Sequence, residues 1–386
     1  MLLRILLPLL LLLSLPAWGI DMCVLRKRFG AWVRRCFYLP NVAMAVWLVA
    51  LAVNESYSPA ADHAKGLALT VVLCIIVPET LWALFALFGS LLRRFGRVRA
   101  ALNITGGVLA LALLSTLLFG FLRGYKKIHS TQISFSSPSI PAAFDGYRIV
   151  QLSDLHLGTI HGQPELARRI VDSVNAQRPD LIAFTGDLVN YNAAELTEFE
   201  AILSRLRATD GVVSVMGNHD YMLYYAWPSD QARQANVRQL QDRQRAMGWR
   251  LLLNENHIIR RGADSIAVVG VENDGRPPFP SRGDLVKAQA GLGPSCFKVL
   301  LSHDPTHWRR RVLPETDIPL MLAGHTHGMQ FKIGSFSPAA WFYPEWGGIY
   351  REGSRALHVS LGTGEVLLPF RLGAWPEINV ITLRSA

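Results

Sequence analysis

Charge is scarce in this chain: of 386 residues only 18% are Asp, Glu, Lys or Arg, while half are hydrophobic. Soluble domains carry about 25% charged residues, so one or two ordinary soluble domains are excluded. The content of Trp, Phe and Val excludes a disordered chain. Part of the sequence must sit in lipid. Cysteine is scarce too. Cys23, Cys36 and Cys74 fall in the N-terminal third and Cys296 stands alone beyond it, which excludes a disulfide scaffold or a thiolate zinc site in the C-terminal part. Internal repeats and low-complexity segments are also missing. The formal net charge of +10 does not point to nucleic acid, because the first 122 residues hold eleven Lys/Arg against four Asp/Glu and the remaining 264 hold 28 against 25. The C-terminal part is nearly neutral, so no nucleic-acid partner is expected and a nuclease is a weak alternative.

What is present begins with four apolar stretches, 2–18, 37–53, 67–92 and 101–122, each near the length of a bilayer crossing. They predict a transmembrane region over 1–122 with about four helices. The first also suits a cleaved signal sequence, with Arg4 ahead of an apolar run and the small residues Ala17 and Gly19 around Trp18. Glu79, next to Pro78 inside the third stretch, reads as a carboxyl facing other helices of a packed bundle rather than as part of an ion pathway. Lys and Arg set the topology. Arg26, Lys27, Arg28, Arg34 and Arg35 lie in the first connection, Arg93, Arg94, Arg97 and Arg99 in the third, and only Lys65 in the second. Four spans with both basic connections in the cytoplasm leave Arg4, Lys65, Arg123, Lys126 and Lys127 outside, and predict an extracytoplasmic C-terminal domain.

A Ser/Pro-bearing linker is expected over 123–146. From 147 to 386, apolar runs of strand length at 147–153, 181–185, 212–216, 265–271, 298–302, 320–323, 357–360 and 378–383 alternate with amphipathic patterns such as the one opening at Pro164. This is the pattern of an α/β domain with short βα connections.

Five polar clusters each follow one of those runs: Asp154-Leu155-His156, Gly186-Asp187, Gly217-Asn218-His219-Asp220, Ser302-His303-Asp304 and Gly324-His325-Thr326-His327-Gly328. The carboxyl ends of strands form the ligand crevice of open α/β folds, so all five can converge. Carboxylates, imidazoles and an amide without sulfur suit Mn, Fe or Zn better than Ca or Mg. Seven candidate ligands exceed one ion's needs and suit two divalent metal ions about 3.5–4 Å apart, an arrangement that serves in-line displacement at phosphorus. Asp220 and Asp304 read as groups that orient ligands. His161, His257, His307 and His358 lack a partner at ligand spacing and read as surface or packing residues.

Together the five clusters resemble the calcineurin-like metallophosphoesterase superfamily, whose pattern is Asp-x-His, Gly-Asp, Gly-Asn-His-Asp/Glu, a single His, and Gly-His-x-His. The fuller strings SDLHLG, TGDLV, GNHD, LSHDP and AGHTHG, with the late Arg371, Pro376, Glu377 and Ile378, look like its membrane-associated bacterial branch. The resemblance covers 147–386 and is silent on the apolar stretches. It implies a sandwich of two mixed β-sheets flanked by helices; taken with the four apolar stretches, the expectation is a multi-pass protein of a bacterial inner membrane. It further implies that Asp154, His156 and His327 bind one metal, that Asn218, His303 and His325 bind the other, and that Asp187 bridges them. His219 would face the phosphate as the catalytic residue, and water acidified by both cations would attack a phosphodiester, phosphomonoester or pyrophosphate bond. Gly186-Asp187-Leu188-Val189-Asn190-Tyr191 and Asp220 depart from the pattern of the family's Ser/Thr protein phosphatases, and Met329 replaces a glycine usual in membrane-associated members. The aromatic stretch 336–346 suggests a lipid-linked phosphoester substrate at the membrane surface. The alternative is a membrane sensor or transporter whose phosphoesterase-like domain only binds a ligand.

Overall fold

A computed structural model describes residues 2–53 and 59–386 and divides the chain into two compact units that meet between Arg123 and Gly124. Among its described residues the N-terminal unit has the α-helices α1 (Leu2–Cys23), α2 (Ala31–Val53), α3 (Pro59–Leu91) and α4 (Gly96–Leu122). Among the described residues, two helical stretches, Gly66–Leu91 and Gly96–Lys126, are long and apolar enough to cross a membrane. The connection between the second and third apolar stretches lies partly outside the described residues. Two polar pairs lie within this unit: Arg34 grips Asp21 at 2.6 Å, and Asn41 donates to Glu79 at 2.9 Å. Gly106 lets α4 lie directly on Phe85 of α3, the close approach that small residues permit between apolar helices.

The C-terminal unit is built on twelve strands. Chain order runs β1 (His129–Ser137), β2 (Arg148–Leu152), β3 (Leu181–Phe184), β4 (Val212–Ser214), β5 (Trp249–Leu251), β6 (Glu255–Arg261), β7 (Asp264–Gly270), β8 (Phe297–Leu301), β9 (Leu320–Ala323), β10 (Gly348–Glu352), β11 (Arg355–Val359) and β12 (Glu377–Ser385). One six-stranded sheet has the order β1-β12-β2-β3-β4-β5, the other β10-β11-β9-β8-β7-β6. Each is mixed. In the first, β2 to β5 are parallel and β12 runs against β2; in the second, β7, β8, β9 and β11 are parallel between antiparallel edges.

Facing side chains of the two sheets, among them Ile149, Leu181, Val213, Val268, Val299 and Leu322, make the central layer of the core. On the outer face of the first sheet the helix Pro164–Ala176 lays down Leu166, Ala167, Ile170, Val171 and Val174, a stripe at helical spacing. Trp308, wholly buried, anchors the corresponding cover on the second sheet. Strands covered on both faces have no solvent side to mark with polar residues, which is why β3 and β9 are wholly apolar and β8 has only Lys298 among apolar residues. The stretch 123–146, expected to be a linker, contains β1, which pairs with β12 along its whole length. Its alternating Ser, Thr and Gln belong to an edge strand of which only Phe135 and Ser137 are buried.

Candidate metal centre

Five parallel strands, β2, β3 and β4 of one sheet and β8 and β9 of the other, end at the same rim, and each polar cluster is the loop that leaves its strand there. The structure brings all seven expected ligands and His219 together. Asp154, His156 and His327 form one group and Asp187, His303 and His325 a second, with ligating atoms mutually within 4.8 Å in each. The seventh, Asn218, places Oδ1 2.8 Å from His325 Nδ1. Asp154, His156 and His303 are fully buried. The loops reach this convergence through unusual backbone: Asp154, His156, Asp187, His325 and His327 all have positive φ, between 45° and 78°. For residues other than glycine each such conformation costs on the order of 1–2 kcal/mol, so packing elsewhere holds these side chains in place.

Two motif glycines show what that packing demands. A Cβ on Gly217 would sit 2.2 Å from Asp187 Oδ1, and one on Gly324 would sit 2.2 Å from Asp154 Oδ2 and 2.0 Å from Ser153 Oγ. Each carboxylate therefore rests on the bare backbone of another cluster.

The donor set fits cations. His303 Nδ1 lies 2.8 Å from the Thr185 carbonyl and must donate to it, which leaves its Nε2 facing Asp187 Oδ2 at 3.0 Å. That buried Nε2 has no hydrogen-bond partner. His156 Nδ1 donates to Asn190 Oδ1 at 2.9 Å, leaving its Nε2 3.1 Å from His327 Nε2 and 3.6 Å from Asp187 Oδ2. His327 Nε2 is also 3.2 Å from Asp154 Oδ1. Imidazole nitrogens and carboxylate oxygens at such distances need a proton or a metal cation between them. The protein alone shows the same demand: burial works against a charged His303, yet the neighbouring Asp187 outweighs it and holds the imidazole up to about 10. Burial likewise opposes the charge of Asp187, but His303 and His219 bring its carboxyl below the usual range. His156, Asp187 and His219 form a third such group that overlaps the other two, and the cluster as a whole suits divalent metal.

Around these side chains lies a layer of orienting groups. Asp220 clasps two loops at once: Oδ2 accepts the N–H groups of Asp187 and Gly217 at 2.9 and 3.0 Å, Oδ1 those of Leu188 and Val189 at 2.8 and 3.2 Å. Asp304 Oδ1 accepts from Thr306 N, and its Oδ2 lies 3.8 Å from His325 Nε2. The hydroxyl of Tyr343 is nearer, 2.8 Å from His325 Nε2. Asn218 donates through Nδ2 to the Tyr224 hydroxyl at 3.0 Å, which turns its Oδ1 toward His325. Asn190 serves two histidines, by its side chain to His156 and by its carbonyl to His219 Nδ1 at 2.9 Å. His219 is thereby turned with Nε2 toward the centre, its ring edge-on to His156 with centroids 4.8 Å apart.

Sequence reasoning missed Tyr343, Tyr224 and Glu195. Glu195 collects the N–H groups of Gly158, Asn190, Tyr191 and Asn192. Its signal was the Asn192-x-x-Glu195 spacing of a capping box, which the structure contains. Arg371, fully buried, donates to the carbonyls of Leu361, Gly364 and Ala374 and lies 3.3 Å from His327 Nδ1. His307 and His358 are buried outside the cluster, bonded to Ser302 and Gln151. Met329 occupies the left-handed region at φ +47°, a conformation that a glycine adopts without strain.

Residues 147–329 match the model of the calcineurin-like phosphoesterase family. An uncharacterised metallophosphoesterase of Bacillus subtilis is 32% identical over 271 residues, 67% of this chain and 86% of that protein. A transmembrane protein with metallophosphoesterase domain from Danio rerio is 29% identical over 288 residues, covering 72% of this chain and 63% of the relative. Its counterpart in Bos taurus is 31% identical over 252 residues, covering 64% and 55%. The chain thus spans between half and two thirds of these two longer relatives. With five motif loops at one sandwich rim and this likeness along its C-terminal unit, the chain belongs to the calcineurin-like metallophosphoesterase family.

Proposed function

We propose that the protein is a membrane-anchored hydrolase that uses two divalent ions to cleave a phosphoester bond by attack of water, and that its substrate is carried on a lipid. The observation that carries the reading is the convergence of the buried side chains of Asp154, His156, Asp187, Asn218, His303, His325 and His327 at one rim, with the buried Nε2 of His303 left without a hydrogen-bond partner. In this assignment Asp154, His156 and His327 hold one ion, Asn218, His303 and His325 the other, and Asp187 serves both. The ions, Mn, Fe or Zn, would supply Lewis acidity, neutralising phosphoryl oxygens and acidifying water. His219, held at Nδ1 by the Asn190 carbonyl, offers Nε2 to the substrate, where a proton can be passed to the leaving oxygen or a hydrogen bond made to the developing charge. Tyr224, its ring tilted against His219 with centroids 4.5 Å apart, restrains that ring.

The test separates ligands from acid. Asp187→Asn and His303→Ala are expected to lose bound metal and hydrolysis of a chromogenic phosphodiester together, whereas His219→Ala keeps both metals and slows by roughly 10²- to 10⁴-fold. Equal metal loss in all three would refute the division of roles. The Lys/Arg asymmetry supports an extracytoplasmic catalytic unit. An alkaline phosphatase fusion after residue 386 should then be active, and a fluorescent but phosphatase-inactive pair of fusions would reverse the assignment.

A further inference from the structure

We propose that the segment 333–342 is a wedge that docks the catalytic unit on the headgroup region of an anionic lipid bilayer; what this does for turnover rests on the phosphoesterase reading above, but the docking does not. Ile333, Phe336, Trp341 and Phe342 are 63%, 46%, 72% and 57% exposed, large apolar side chains set within ten residues of one another. They are rigidly presented. Ile333 and Phe336 exchange backbone hydrogen bonds at 2.9 and 3.0 Å across a turn at Gly334, and Ser337 caps the short helix Pro338–Trp341. Ser337 also donates to the Gly328 carbonyl at 2.6 Å, tying the wedge to the Gly-His-Thr-His loop. The Phe336 and Trp341 rings lie 5.9 Å apart, edge to face. A cluster of this kind on a rigid support is a site of association, and Trp beside Phe is the composition of a membrane–water boundary.

The chain's own connectivity names the occupant. The apolar helix Gly96–Lys126 leads into the catalytic unit at Gly124. There the backbone rests on residue 371, so closely that a Cβ on Gly124 would fall 2.0 Å from the Arg371 carbonyl, and the Lys127 ammonium sits over the Trp375 ring at 4.6 Å. Leu372 in turn bridges to Phe331, and Lys332 N donates to its carbonyl at 2.8 Å. Three backbone segments side by side thus join the end of a membrane-spanning stretch to the wedge, two strand spacings or roughly 10 Å. Lys127 and Lys332 flank this path with positive charge that anionic headgroups attract. The wedge then runs straight into Tyr343, whose hydroxyl touches His325. A phosphoester on a lipid headgroup would meet the metal centre without leaving the surface on which the wedge rests.

The experiment uses the full chain with its four cysteines changed to Ser, in vesicles of phosphatidylethanolamine and phosphatidylglycerol. Single variants Ile333→Cys, Trp341→Cys and, away from the wedge at an 81% exposed site, Val286→Cys carry a bimane fluorophore. Nitroxide-bearing lipid is expected to quench the labels at 333 and 341 and aqueous iodide to spare them, with the reverse at 286. Iodide quenching at 333 and 341 equal to that at 286 would overturn the proposal, and so would shielding from both quenchers, which would mean a second copy or another protein covers the wedge. In a separate arm, Ile333→Asp with Trp341→Asp should leave hydrolysis of bis(p-nitrophenyl) phosphate unchanged and lower turnover of a vesicle-borne phosphoester by about tenfold or more, the factor set by losing burial of two large apolar groups. A native chain inactive on both substrates would refute the phosphoesterase reading while the quenching result still decides docking.

Discussion

Replacing Asp220 by Asn removes one oxygen from a fully buried carboxylate that accepts four backbone N–H groups, two on each oxygen. Whichever way the amide turns, its NH2 faces two donors. Two backbone N–H groups are then orphaned where no solvent reaches, at about 1–3 kcal/mol each, so the expected loss is about 4 kcal/mol. In a domain of this size each kcal/mol lowers Tm by about 2–4 °C, which puts the shift near 10 °C. The measurement is the unfolding transition of the catalytic unit, followed by circular dichroism on the full chain in detergent with metal chelated away. Removing metal matters, because the clasp acts on the loops themselves. A metal-free Asp220→Asn protein that unfolds within about 2 °C of the parent, while its loaded form has lost an ion, would show that Asp220 is a ligand and that the clasp contributes little.

Other consequences can be checked alongside. Gly324→Ala pushes a methyl into Asp154 Oδ2 and Ser153 Oγ; Asp154 also holds His325 N at 3.1 Å and His327 at 3.2 Å, so metal affinity measured by titration should fall at least about tenfold, and unchanged affinity would show that the loop yields. Tyr343→Phe should leave Tm in place and weaken metal binding by about tenfold through His325, whereas an unaltered affinity would make Tyr343 mere packing. Burial holds His358 down to about 4, so it stays neutral in the fold while the unfolded chain takes up a proton below about pH 6.5. Its contribution is therefore fully present above pH 6.5 and lost as pH falls toward 4, by at most about 3 kcal/mol. His358→Gln should flatten the dependence of Tm on pH between 7 and 4.5, and parallel curves would refute the assignment.

The sequence marked eight strands by apolar runs, and the structure contains a strand at each. The four it did not mark, β1, β5, β6 and β10, are the four edge strands. Edge strands keep one side of the ladder in water and carry polar residues that blur the signal: His-Ser-Thr-Gln in β1, Glu-Asn-His in β6 and the largely exposed Gly-Ile-Tyr-Arg-Glu in β10. β5 is only three residues long. The site was legible where chemistry follows a strand directly, as at Asp154, Asp187 and His303. What escaped depends on chain distant in sequence. Nothing near His325 announces that Tyr343 reaches its ring, and nothing local foretells five ligand candidates in left-handed backbone, because tertiary packing overrules the intrinsic preference of Asp and His.

The placement of β12 bears on how the molecule comes into being. It lies between β1 and β2, so the first sheet is split in two until residues 377–385 arrive, nearly the whole catalytic unit after its neighbours have been synthesised. Until then β2 shows an open edge and β1 has nothing to pair with, a state prone to wrong association. Contacts this distant in sequence make folding slow. The unit should therefore acquire structure late and all at once rather than progressively during synthesis, and shortening the chain by this one strand should yield protein that cannot be loaded with metal at all, although every ligand candidate is still encoded.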